Sequence, residues 1–404
     1  MTARPRFTVI IPTRERADVL VFALRTVLAQ DYDSLEVIVS DNASADGTRD
    51  AIAAISDPRV RYVNTGQRVS MAENWEFALG HATGDWIALM GDDDGLMPGS
   101  LNSVAEIARE TGVRAIRSRV CKYSWPSMTK KPFGRMVVPL GDGYEVRETR
   151  LWQERVLNGV SGYASLPILY NGGFVGGDVI AAMRKARGKV YFSSSPDVYS
   201  AMAICSLVDR FTFVNEPLAI SGASSHSTGA SYFSGGTDRA GTPATLFQKE
   251  DRIPLHPDIP RESNGTLPKS IPALVYEAYL QSQFLRGEPG PSRHAEQLEV
   301  ALALATKNAA RVFTWGRTFA AQHALDFEAI SARAAWTRRR LAVRGLPGRL
   351  RDLFQSFELG SPELPLRDVV EATAAAADLR RAIPPLAVRV TKAVDRGVRR
   401  RMAR

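Results

Sequence analysis

Cysteine is nearly absent from this chain: there are two, Cys121 and Cys205, among 404 residues. Two thiols make neither a disulfide framework nor a four-thiolate zinc site. Each sits in apolar sequence, where core packing is the expected role. Long apolar runs are equally scarce. No window reaches about 18 consecutive apolar residues, which excludes a transmembrane helix. The opening MTARPRFTVII also has no apolar stretch of signal-peptide length. These absences predict a cytoplasmic protein, soluble or peripheral on the inner face of the membrane. The body of the chain lacks a surplus of charge. The formal net charge is +9, yet the residues from Arg380 to Arg404 hold nine basic side chains and one acid, so +8 of it lies there. A neutral body with a basic tail excludes a protein that coats nucleic acid. With 45% hydrophobic and 24% charged residues the chain is an ordinary globular mixture, long enough for two to three domains.

What is present is a strand–helix alternation. Phe7–Thr13 (FTVIIPT) is a continuous β-branched run, the pattern of a strand buried on both faces of a parallel sheet. Helical spacing follows over Ala17–Gln30. Further strands are expected at Leu35–Ser40, Val60–Asn64, Trp86–Met90 and Ala115–Tyr123. Helices are expected at Gly47–Ile55, Met71–Ala82 and Gly99–Glu110. Such a rhythm means an α/β sheet with right-handed crossovers. From about 125 to 245 Gly, Ser and aromatic residues loosen the pattern, Phe211–Ile220 reads as a strand, and Ser221–Gly236 as a mobile stretch. A Pro-rich linker, 251–268, then divides an amino-terminal domain, 1–250, from a helical region, 269–404. Helices are expected there at Pro272–Leu285, Ala295–Ala309, Ala320–Val343 and Asp368–Ala382.

In an open α/β sheet, ligands bind outside the carboxyl ends of the strands. The residues expected on that edge are Pro12-Thr13-Arg14, Asp41-Asn42, Asn64 and Gly91-Asp92-Asp93-Asp94-Gly95. Three successive carboxylates repel one another unless a cation or hydrogen-bond donors compensate, and hard divalent ions take such oxygens together with substrate phosphates. A solvated turn capping the next helix would also place acids here. The buried strand that delivers this triplet to the ligand edge favours a site.

The segments VIIPTRER, VIVSDNASADGT, Asn74-Trp75 and ATGDWIALMGDDDGLMPGSL fall in an order that resembles the family 2 glycosyltransferases, over roughly residues 6–225. No membrane helices or QxxRW-like motif accompany them, so the likeness is to bacterial cell-surface glycan enzymes rather than processive synthases. The resemblance implies a GT-A fold, Rossmann-like with a mostly parallel sheet, followed here by a helical carboxy-terminal extension. It implies inverting transfer of a sugar from a nucleotide-diphosphate donor, a UDP-sugar, to a hydroxyl of a cell-surface glycan or lipid-linked acceptor, with Mn²⁺ or Mg²⁺ as cofactor. Carried over, Pro12, Thr13 and Arg14 line the base pocket, and Asp41 and Asn42 meet base or ribose. Arg68 and Asn74 border the ribose–diphosphate. Asp92 meets ribose or a metal-bound water, and Asp93 and Asp94 hold the metal. The usual D-x-D-D motif has Gly91 at its first position here.

Inversion needs one base to deprotonate the acceptor hydroxyl. The family places it about 100 residues beyond the metal motif, ahead of a helix, and Asp197 in SSSPDVYSAMAIC matches, although a helix cap would look the same. His226 would close over the diphosphate and metal, or be an exposed loop histidine. Gly172–Gly177 (GGFVGG) lacks dinucleotide-fingerprint spacing and by resemblance is an acceptor- and sugar-facing loop. Trp75 and Trp86 are expected in the core. Two other readings stand beside this one: a nucleotidyltransferase acting on a sugar phosphate, disfavoured because PTRERAD has no glycine for a phosphate loop, and a non-catalytic nucleotide-sugar binding protein.

In the tail, Ile383, Leu386, Ala387, Val390, Val394 and Val398 fall on one arc of a helical wheel and the basic residues opposite. Such an amphipathic, basic helix over 383–404 predicts peripheral membrane contact, or packing on the protein itself. Nucleic acid is not expected as a partner.

Overall fold

The computed structural model describes residues 4–128, 134–225, 252–287, 292–346, 355–359 and 366–383, together with 250, 290 and 348. Its centre is a mixed sheet. Four parallel strands, β3 (Val60–Asn64), β2 (Leu35–Asp41), β1 (Phe7–Thr13) and β4 (Trp86–Leu89), lie side by side in that order. Antiparallel β9 (Gly173–Gly176) joins β4 to β6 (Ala115–Ser124), after which come β7 (Met136–Pro139) and β11 (Ser356–Leu359). Strand β10 (Arg210–Ala223) runs parallel to β6 and also takes up β5 (Gly95–Leu96) and β8 (Tyr144–Glu148). This is the α/β architecture expected, followed by a helical carboxy-terminal region.

The β-branched run of β1 is buried from Phe7 to Ile11, with hydrogen-bonded strands on both sides. One sheet face is covered by α1 (Ala17–Leu28) and α4 (Ser100–Thr111), which contribute Leu20, Leu24, Leu101 and Val104 to a single cluster. On the other face, α3 (Met71–Leu79), α6 (Gly177–Arg187) and α7 (Pro196–Cys205) share one continuous core with the helical region. That region comprises α8 (Ile271–Ser282), α9 (His294–Ala303), α10 (Ala309–Gln322) and α11 (Phe327–Arg344). Ile253 and Ile259, from the Pro-rich stretch, are buried in that same core.

Four expectations need correction. The segment GGFVGG is not a loop: Gly173–Gly176 is β9, buried in mid-sheet. Its glycines answer to close backbone approach, since a Cβ at Gly173 would stand 1.6 Å from the Ile168 carbonyl oxygen. Ala320–Val343 is not one helix, because α10 ends at Gln322, Ala324 takes φ 52° and Asp326 caps α11 by accepting from the Ala329 amide at 3.0 Å. The helix expected to reach Ala309 stops at Ala303. Ser356–Leu359, in the region read as helical, is an edge strand paired antiparallel to β7. Beyond it, α12 (Val369–Ala382) returns to the sheet domain, burying Val369, Ala372 and Ala376 with Val19, Met97 and Trp125. Cys121, Cys205, Trp75 and Trp86 are buried, as expected. Among the described residues no helix is long and apolar enough to cross a membrane. Residues 384–404 of the basic tail, and His226 to Gly236 of the Ser/Gly-rich stretch, lie outside the described residues.

Candidate active site

The parallel register sets one row of the site directly. Thr13 is level with Asp41, and Asp41 with Asn64, at the carboxyl ends of β1, β2 and β3. Asp41 is buried and fully engaged: Oδ2 accepts from the Tyr62 hydroxyl at 2.6 Å and the Asn64 amide at 3.0 Å, and Oδ1 from the Ser44 backbone amide at 3.0 Å. Asn42 bonds both ways with Val69, donating to its carbonyl at 2.7 Å and accepting from its amide at 2.9 Å. That pair straps the loop before α3 to the end of β2. Asn74 is buried against β2, exchanging hydrogen bonds with the Ser40 hydroxyl and carbonyl at 2.7 and 3.2 Å. Pro12 lies in β1 level with Ser40. Arg14 pairs with Glu250, and Arg68 with Glu15.

The next strand of the row, β4, delivers the acidic triplet, and its three carboxylates take different partners. Asp92 accepts from the Thr13 hydroxyl at 2.8 Å and from Arg16 at 2.6 Å. Asp93 accepts from the Ser224 hydroxyl at 2.6 Å and amide at 3.2 Å, while its carbonyl accepts from the Trp125 indole at 2.8 Å. Asp94 accepts from the amides of Gly91 at 2.8 Å and Gly222 at 2.9 Å. The triplet is therefore tied to β1 on one side and to the end of β10 on the other. All three are at most 4% exposed. Burial raises the pKa of Asp92, opposed by the Arg16 charge; burial and the neighbouring Asp93 charge raise that of Asp94. Burial works against the Arg16 charge too, but Asp92 and Asp93 more than offset it and hold the guanidinium above its ordinary range.

Gly91, where the family's pattern has an acid, has a steric reason. A Cβ there would stand 2.9 Å from Asp94 Oδ2 and 3.0 Å from the Tyr170 hydroxyl oxygen. Tyr170 is the common neighbour of the acids. Burial, and then the charges of Asp94, Asp93, Asp197 and Asp92, push its pKa well above the ordinary value. Its ring stacks on Trp75 with centroids 5.2 Å apart.

Asp197 reaches this cluster from the first turn of α7, which has Pro196 at its start and no side-chain cap from Ser195. Its Oδ2 accepts from the Tyr163 hydroxyl at 2.8 Å. Burial raises its pKa, and the Tyr163 hydrogen bond opposes that. Tyr163 and Tyr170 lie on one connection between α5 (Thr149–Leu157) and β9, pinned by buried Arg117 of β6. Arg117 donates to the carbonyls of Ala164 at 2.9 Å, Tyr170 at 3.4 Å and Asn171 at 2.5 Å, and burial pushes its pKa down to about 10.

Thr13, Asp92, Asp93, Asp94 and Asp197 thus come together from three separate stretches. Asn42 and Asn74 sit behind them in main-chain and side-chain ties, and His226 lies outside the described residues. Sequence reasoning missed Arg16, Arg117, Tyr163, Tyr170 and Ser224. Only Arg16 carried a signal, being two residues past Arg14 in the same strand-to-helix turn. Among the described residues no three His, Cys, Asp or Glu side chains form a ready-made cation cage.

Residues 8–166 match the family model described as glycosyl transferase family 2. The succinoglycan biosynthesis protein ExoO of Rhizobium meliloti is 34% identical over 110 residues, 27% of this chain and 32% of that protein. A Campylobacter jejuni GalNAc(5)-diNAcBac-PP-undecaprenol beta-1,3-glucosyltransferase is 32% identical over 109 residues, 26% of this chain and 35% of that protein. The chain spans about a third of the length of these curated relatives. The crystal structure of S. aureus TarS 1-349 in complex with UDP-GlcNAc aligns with a TM-score of 0.49 at 12% identity, covering 85% of this chain and 92% of that one.

Proposed function

We propose that this chain, whose residues 8–166 match the model of glycosyl transferase family 2, transfers a sugar with inversion from a nucleoside diphosphate donor to a hydroxyl of a glycan or lipid-linked acceptor. The observation that carries the reading is the gathering of Asp92, Asp93, Asp94 and Asp197 around Tyr170 at the carboxyl edge of the sheet. The nucleotide, taken as uridine, would lie along Pro12, Thr13, Arg14, Asp41 and Asn42, with Arg68 and Asn74 towards the diphosphate. Asp92, neutralised by Arg16, sits between that row and the cation site.

Asp93 and Asp94 would hold Mn²⁺ or Mg²⁺, with His226 as a further ligand. The donor set fits: hard oxygens of two adjacent, buried carboxyl groups. Bound there, the ion supplies Lewis-acid stabilisation of the departing diphosphate. The chain's own work is at Asp197. Its carboxylate takes the acceptor hydroxyl proton as that oxygen bonds to the anomeric carbon, while the bond from that carbon to the donor phosphate breaks and its electron pair leaves with the nucleoside diphosphate. A base whose pKa is raised by burial is better matched to this proton transfer near neutrality than a free carboxylate. The lipid-linked acceptor named for the C. jejuni relative supports that acceptor class here.

The test is a thermal-shift screen of nucleotide sugars with and without Mn²⁺, followed by nucleotide release from the best donor. A ligand at about 100 times its Kd adds about 2.7 kcal/mol. Mn²⁺-dependent release that Asp93→Ala lowers by about a hundredfold or more is expected. Stabilisation without any release would mean a binding protein, and full activity in Asp93→Ala would refute the metal assignment.

A further inference from the structure

A surface helix is ordinarily apolar towards the core and polar towards water. Helix α11 obeys the first half of that rule and breaks the second. Its core stripe is Phe327, Ile330, Ala334, Thr337 and Leu341, all buried. At 3.6 residues per turn, Ala332, Trp336 and Val343 fall together on the opposite side, and all three are exposed. Trp336 is 62% exposed and Val343 71%, more than any other large hydrophobic side chain among the described residues. Apolar side chains scattered singly on a surface need no explanation. These two stand two turns apart on one face, and Leu346, 51% exposed, follows within a turn.

The charges beside this stripe have one sign. From 329 to 346 there are five arginines and no acid. Two turn inward: Arg333 donates to Glu299 at 3.1 Å, and Arg338 to the carbonyls of Ala303 and Leu302 at 2.8 and 3.1 Å. Arg339 and Arg340 flank the stripe on either side and Arg344 lies near its carboxyl end, all exposed. The Arg340 guanidinium lies over the Trp336 ring, 5.0 Å from its centroid, so basic and aromatic groups form one patch.

We propose that this face of α11 docks the protein on an anionic lipid bilayer. The inference goes beyond the transferase reading and does not depend on it. The tryptophan ring suits the headgroup level, Val343 and Leu346 the acyl boundary, and the arginines reach back to lipid phosphates. Because the stripe runs along the helix rather than standing at one end, α11 lies flat on the surface. A second copy of the chain fits worse, since a two-fold contact through the stripe would set arginines against arginines. The contact is also separate from the one expected of 383–404, and the test distinguishes them.

That test is flotation of the full chain with vesicles of phosphatidylcholine containing phosphatidylglycerol, compared with phosphatidylcholine alone. Binding is expected to the anionic vesicles only. Replacing Arg339→Gln and Arg340→Gln together should weaken it at least tenfold, at about fivefold for each lost charge. Trp336→Ser should weaken it about tenfold. Tm should stay unchanged in both variants, because the altered side chains are exposed. The fluorescence difference between wild type and Trp336→Phe should shift to the blue on the vesicles and be quenched by brominated lipid. No binding by the wild type, or equal binding to neutral vesicles, would overturn the inference. So would undiminished binding in both variants, which would assign the contact to another part of the chain such as 384–404. A chain that instead dimerises through Trp336, or retains RNA but not vesicles, would overturn it too. Sugar transfer does not enter the readout, so failure here leaves the transferase reading untouched.

Discussion

Two forces of opposite sign act on Asp197. Burial at the start of α7 disfavours its charge, and the Tyr163 hydroxyl favours it. Tyr163→Phe removes the donor and leaves the packing. Asp197 should then hold its proton to higher pH, so the acidic limb of the kcat/KM profile should move upward and the rate at neutral pH fall about tenfold, the scale of one hydrogen bond to a charged group. A pH–rate profile checks this, and an unmoved limb would leave Tyr163 a merely structural residue. Much at this scale was legible beforehand. The Asp92–Asp94 triplet announced itself because charge repulsion makes such a run costly without a purpose, and it stands at the end of a recognisable strand. Ser224 and Tyr170 were not legible in the same way. A serine in a Ser-rich stretch and a tyrosine after an apolar run carry no local pattern, and only the meeting of β4, β10 and the connection before β9 brings them to the acids.

At the scale of elements, the position of Asp93 depends on the tail of β10. Gly222 lies so close that a Cβ would stand 1.7 Å from the Asp93 carbonyl oxygen and 2.6 Å from the Trp125 indole nitrogen. Gly222→Ala should push the triplet away from β10, break the Trp125 hydrogen bond, and cost about 1–3 kcal/mol as an overpacking change. A lowered Tm together with lost nucleotide release is expected; unaltered Tm and activity would show that β10 does not position Asp93. The same physics explains β9. The family resemblance makes GGFVGG a loop, yet its glycines allow a central strand to pass against the Ile168 carbonyl and beside Arg114. Periodicity located the central parallel strands because β1 and β2 carry runs of Val and Ile. It had nothing to say of β9, whose residues are dictated by space rather than by hydrophobic alternation.

For the whole molecule, the helical region is fastened to the sheet domain through one shared core, and the Pro-rich stretch is fastened to the helical region through a cluster of histidines. His294 stacks on His323 with ring centroids 3.9 Å apart, lies 3.4 Å from Asp258, and shares a 2.9 Å hydrogen bond with Tyr276. His256, also near Asp258, completes the group, with Glu296 at its edge. Burial lowers the pKa of His256 and of His294 below the ordinary 6.5, the latter also through the His323 charge. A histidine that resists protonation when folded binds fewer protons than it does unfolded. Its contribution is therefore intact above about pH 6.5 and is lost as pH falls below that value towards the folded pKa. The Tm advantage of wild type over His294→Asn should shrink between pH 7 and pH 5.5; an advantage that grows on acidification would contradict this. The concentration of +8 in residues 380–404 takes its meaning at this scale too. The carboxyl edge of the sheet, by contrast, is where the acidic Asp92, Asp93 and Asp94 are buried together.

The central claim is that Asp197 performs the proton transfer while the triplet and the β1–β3 row hold the donor. Paired measurement of UDP affinity and of sugar transfer in Asp197→Asn tests it most directly. The account predicts a Kd for UDP within about twofold of wild type and a turnover lower by about 10²–10⁴-fold. Wild-type turnover in Asp197→Asn, or loss of UDP binding in a folded variant, would contradict it.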